Sequence, residues 1–202
     1  MIPTNKPDET NPTKTRTTML DGHPFLHGLA FAMLVGTSLL APASPALAQD
    51  GNVAALPPSV RAEGPTVVHD SAYDGVRTEV RSIDVPFSGL SVVVLNVRNM
   101  PQFARNRTFG AHAHAKACAT DAAASGPHHA NPVADTSRPL AGREVWLDVR
   151  VDALGRGTSI ALFDWRIRKG DAGSVVIHAE PTNAATGAAG ARILCTTVDF
   201  GS

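Results

Sequence analysis

Short β-branched runs, kept short by turn residues, bound what this chain can fold into. After residue 65 such runs fall at 66–69, 76–85, 90–97, 108–115, 145–151, 158–168, 174–178 and 193–200, with Gly, Pro, Asn and Asp between them. Polar and apolar residues alternate in Arg77-Thr78-Glu79-Val80-Arg81-Ser82-Ile83 and in Val149-Arg150-Val151-Asp152, the period of a strand that turns one face to a core. No segment carries a sustained helical period. The expectation is an all-β domain, a Greek-key β-sandwich or barrel of about eight antiparallel strands. Two stretches, 117–142 and 179–191, are too long and too rich in Ala, Gly, Pro and Ser for hairpin turns. Long loops in a compact β domain are usually functional or disordered, and these two adjoin the histidines.

The first 48 residues read as a secretory signal and stand outside the fold. Lys6, Lys14 and Arg16 give a basic start, 29–40 is almost wholly apolar, and Ala46-Leu47-Ala48 is a small-x-small cleavage site. A retained membrane anchor is the rival, but the run is shorter than the roughly 20 residues of a spanning helix. Residues 49–65, with Pro57, Pro58, Gly64 and Pro65, read as a flexible lead-in, and 66–202 as one domain. Export implies a secreted or periplasmic protein, with no membrane attachment after cleavage. The 18 Lys+Arg balance the 18 Asp+Glu, which lends no support to nucleic-acid or membrane-surface binding. In an exported chain whose only cysteines are Cys118 and Cys195, a disulfide is the default and buried free thiols the alternative.

His112 and His114 lie just upstream of the first cysteine, and His128, His129 and His178 between the two. Residues two apart on a strand share a face, so His112 and His114 present two imidazoles side by side. Surface histidines are the bland reading of a lone His-x-His pair. With Gly126-Pro127-His128 and His178 added, five histidines fall into one plausible ligand set. Four imidazoles suit copper(II), the most tightly held divalent ion at nitrogen sites; a three-histidine zinc site with bound water is the other possibility.

Several pieces resemble the copper/zinc superoxide dismutases: Gly110-Ala111-His112-Ala113-His114, Cys118, Gly126-Pro127-His128, Ser174-Val175-Val176-Ile177-His178 and Gly190-Ala191-Arg192-Ile193-Leu194-Cys195. They occur in the family's order over residues 66–200. The resemblance implies a copper site of His112, His114, His128 and His178, a Cys118–Cys195 disulfide, and Arg192 as the cation that guides superoxide anion and binds it beside copper. Anchoring on Gly126-Pro127 selects His128 as fourth ligand, and anchoring on Asn131-Pro132 selects His129; the tight Gly-Pro turn favours His128.

The chain departs from that family at zinc, because no histidine lies between His129 and His178. Asp135, Glu144 and Asp148 are a poor substitute for the nitrogen and sulfur ligands of zinc, so zinc is not expected, and Glu144 and Asp148 are expected at a strand start and on its polar face. The function implied is an exported, copper-only superoxide dismutase in which His128, freed from a zinc bridge, or solvent near Arg192 supplies protons for peroxide. A copper-binding or storage protein with little catalysis is the alternative, and a zinc hydrolase with Glu180 as base a weaker one. His69 is expected at an exposed strand end, and Glu180 is a candidate to orient a ligand imidazole. Monomer and homodimer are both compatible with the sequence.

Overall fold

The computed structural model describes residues 59–201; the signal expected at 1–48 and residues 49–58 of the lead-in lie outside the described residues. Within them the chain forms ten strands and no α-helix. One antiparallel sheet contains, in spatial order, β1 (Ser59–Gly64), β3 (Arg77–Asp84), β4 (Ser91–Arg98) and β8 (Gly157–Phe163). A second contains β2 (Val67–Val68), β10 (Arg192–Thr197), β9 (Ser174–His178) and β6 (Ala111–His114), and β5 (Thr108–Phe109) pairs with β7 (Val149–Arg150).

Alternation decides which side chains face inward. Val80, Val93, Leu95 and Val97 of the first sheet join Ala111, Ala113, Val175, Ile177 and Leu194 of the second in one buried cluster, so two sheets share a core as in a sandwich. Every residue of β6 and β9 is buried, which a one-sided sheet would not produce. Their outer face, bearing His112, His114 and His178, is covered by the segments 115–148 and 179–191.

Each of the eight runs read from the sequence contains a strand; β8 and β10 stop short of the runs 158–168 and 193–200, and three larger departures follow. Ser59–Gly64, expected as lead-in, pairs along its full length with β3; its alternating exposure is that of an edge strand, a pattern masked in the sequence by the flanking prolines. The run 108–115 divides at Gly110 into β5 and β6. The run 145–151 keeps only Val149–Arg150 as a strand, because residues 144–146 meet their neighbours in isolated bridges, Ala130 with Glu144 and His112 with Trp146.

Cys118 and Cys195 are joined, with Cα atoms 5.7 Å apart and a separation of 77 positions in sequence. Cys195 lies in β10 and Cys118 in the first long segment, so the bridge pins that loop to the sheet beneath the histidines. Replacing both cysteines by serine is expected to cost about 2–5 kcal/mol, read as the shift of the urea unfolding curve of the metal-free protein; an unshifted curve would show that the loop is held without the bridge.

Candidate metal centre

Period-two geometry puts His112 and His114 on the outer face of β6, and Ala111 and Ala113 in the core. His178 ends the neighbouring strand β9, where its N–H donates to Gly110 O (2.8 Å). His128 arrives from the loop: Ala115 N donates to Pro127 O (3.0 Å), His129 N to Ala113 O (2.8 Å), and His128 bridges to His114. Residues 127–129 thus run extended along the edge of β6, and neighbouring side chains point apart. His128 faces the other three histidines. His129 turns the opposite way, its ring 5.5 Å from that of Trp165.

One ring nitrogen from each of His112, His114, His128 and His178 lies within 4.8 Å of the others, and no other such group is found among the described residues. The hydrogen bonds on the far side of each ring fix the tautomers. His114 Nδ1 meets Gly126 O at 2.9 Å and His178 Nδ1 meets Gly190 O at 3.2 Å; a carbonyl only accepts, so each Nδ1 carries the proton. His128 Nδ1 likewise donates to Glu144 Oε2 (2.9 Å). His112 is reversed: its Nε2 lies 2.8 Å from Thr182 Oγ1, whose own hydroxyl is spent on Asp148. Nε2 must therefore donate, and Nδ1 is left bare.

Three Nε2 lone pairs and one Nδ1 lone pair consequently converge. His112 Nδ1 is buried without a hydrogen-bond partner, and His114 Nε2 stands 3.3 Å from His178 Nε2, two acceptors facing each other. A buried orphan and an acceptor pair are costly unless something positive lies between them. Protons are disfavoured there: burial above all, with neighbouring cationic groups adding to it, pushes His112 down to about 2, His114 to about 3 and His178 to about 4. A metal cation satisfies all four lone pairs, and a nitrogen-only donor set suits copper(II) or zinc(II).

Two carboxylates support the rings, which corrects the expectation that Glu144 and Asp148 decorate a strand. Glu144 accepts from His128 and from Trp146 Nε1 (2.7 Å); burial pushes its carboxyl up, and these bonds more than offset that, leaving it below its ordinary value. Asp148 accepts from Thr182 N (2.9 Å) and from its hydroxyl, making a chain from Asp148 through Thr182 to His112. Close packing delivers Thr182: a Cβ at Gly110 would meet Thr182 Oγ1 at 2.7 Å and Ala189 Cβ at 2.6 Å. Sequence reasoning missed Thr182, which lies in a loop and carries no ligand signature.

Arg192 pairs in register with His178. Its guanidinium donates to Ala122 O (2.7 Å), Ser125 Oγ (2.8 Å) and Gly126 O (2.8 Å). Gly126 O thus accepts from both Arg192 and His114, tying the cation to a ligand ring. Glu180 is exposed and its carboxylate makes no hydrogen bond to a histidine; its backbone carbonyl accepts from Gly110 N instead. Asp135 is exposed and accepts from Ser137 N. His69 is half-buried rather than exposed, with Nε2 unpartnered, and stands outside the group.

Two outcomes follow from this geometry. Thr182→Val removes the acceptor for His112 Nε2–H and is expected to weaken metal affinity about 10–100-fold with little change in fold, measured by competition with a chelator; unchanged affinity would show that His112 is oriented by packing alone. Because the three imidazoles have lowered values in the folded state, the unfolded chain binds more protons below its ordinary histidine value of about 6.5. Stability of the metal-free protein is therefore flat above that pH and falls as pH drops toward about 4, by up to about 1.4 kcal/mol per pH unit for each histidine. Urea titrations at several pH values check the slope. No family model and no curated protein matches the chain, so the case for what the centre does rests on its residues.

Proposed function

We propose that the protein is an exported copper-dependent superoxide dismutase with a single-metal centre. The observation that carries this reading is the convergence of four imidazoles beside an arginine fixed in register with one of them. Bound there by those histidines, copper would supply the one-electron couple needed to convert two superoxide anions and two protons to dioxygen and hydrogen peroxide. The motif resemblance points the same way.

His112, His114 and His178 are the holding ligands, at most 4% exposed and each tied through its second nitrogen. His128 is the outermost, with its side chain 20% exposed. Its Nδ1–H faces Glu144, so a proton taken up at Nε2 makes an imidazolium paired with that carboxylate. This suits His128 to hand a proton to the reduced oxygen species. Arg192 supplies the charge that attracts a small anion, with its fork held by three acceptors.

A copper-storage role is the second reading, favoured by the depth of the histidines: His112 and His114 are 0% exposed, which restricts access. Superoxide consumption by the copper-loaded protein separates the two, with metal content measured on the same samples. With a chelator present to silence free copper, a dismutase is expected to keep near-diffusion-limited turnover, with Arg192→Ala about tenfold slower or worse and Arg192→Lys intermediate, since Lys keeps the charge and loses the fork. Stoichiometric copper with no turnover once free copper is chelated, and no response to Arg192 substitution, would establish storage.

A further inference from the structure

The outer face of the first sheet carries a row of arginines that the metal centre does not use. Arg77 and Arg98 are direct cross-strand partners. Arg156 immediately precedes β8, whose first residue Gly157 pairs with Val97, so continuing that register sets Arg156 beside Arg98, about 5 Å away at the backbone. Like charges directly opposite destabilise a strand pair. Elsewhere on this sheet the same arrangement is neutralised: Arg61 faces Arg81 and Glu63 faces Glu79, and Arg61 pairs with Glu63 (2.8 Å) and Glu79 (2.9 Å) while Arg81 pairs with Glu79. Arg77, Arg98 and Arg156 form no ion pair among the described residues.

Two adjoining grooves of about 520 and 650 Å³ share Arg77, Asn96 and Arg98 as lining. Thr158 adds a hydroxyl, and Asn96 Oδ1 accepts from Thr158 Oγ1 (2.8 Å), leaving its NH2 free to donate. Glu63 and Glu79 line one end but are taken up by Arg61 and Arg81. None of the lining residues is aromatic, so nucleobases would find no stacking surface. A groove also excludes a flat bilayer.

We propose that this groove binds a sulfated or phosphorylated oligosaccharide, the Arg77–Arg98–Arg156 row taking the tetrahedral oxyanion groups and Asn96 and Thr158 the sugar hydroxyls. Arginine forks match such groups through paired N–H donors, and a bound anion removes the cross-strand repulsion. No lining residue belongs to the histidine centre, so an occupied groove leaves that centre free.

Calorimetric titration of the disulfide-bonded protein with a sulfated dextran hexasaccharide tests this. Arg98→Gln is expected to weaken binding about tenfold or more, Arg77→Gln with Arg98→Gln to abolish it, and Arg166→Gln, exposed outside the groove, to leave it unchanged. The groove variants should melt at or above the temperature of the native sequence without ligand, since repulsion is relieved, and the oligosaccharide should raise the melting temperature of the native sequence alone. Equal binding of unsulfated dextran, undiminished binding by Arg98→Gln, or tighter binding of a single-stranded oligonucleotide of equal charge would overturn the assignment.

Discussion

Four imidazole nitrogens point inward at the histidine centre because the other nitrogen of each ring is already engaged. Gly126 O, Gly190 O, Glu144 and Thr182 take one N–H each, and none of the rings can turn over without breaking such a bond. Burial then makes protonation costly at His112, His114 and His178. What is left is a set of lone pairs that protons avoid and a metal cation satisfies, built before any metal arrives.

The surrounding architecture serves that arrangement. The two β6 histidines need a stiff strand with both faces buried, and the long segments 115–148 and 179–191 supply the outer cover. The disulfide holds the first segment at Cys118, and the close approach at Gly110 admits the second. Gly126 joins the two halves of the site: its carbonyl accepts from His114 and from Arg192, so the cation's position is mechanically linked to a ligand ring. Glu144 stands on the side of His128 where a bridging metal would otherwise bind Nδ1, consistent with a single-metal centre.

Much of this was legible in the sequence, for identifiable reasons. Strand alternation placed His112 and His114 on one face, and the resemblance of the surrounding motifs to the copper/zinc superoxide dismutases implied that His128 and His178 join them. The choice between His128 and His129 follows from extended backbone, which sends the second ring toward Trp165. Glu144, Asp148 and Thr182 were misread or missed because their roles depend on contacts across 16, 34 and 70 residues, a scale on which one sequence carries no signal. Strand β1 was hidden by flanking prolines, and the arginine row by the same long-range pairing, since Arg77, Arg98 and Arg156 become neighbours only through register.

Electron paramagnetic resonance of the copper(II)-loaded protein tests the convergence of four lone pairs most directly. One copper coupled to four imidazole nitrogens, falling to three in His128→Ala and staying at four in His129→Ala, is the expected result. Coupling to two or fewer nitrogens, or loss of one in His129→Ala instead, would contradict the account.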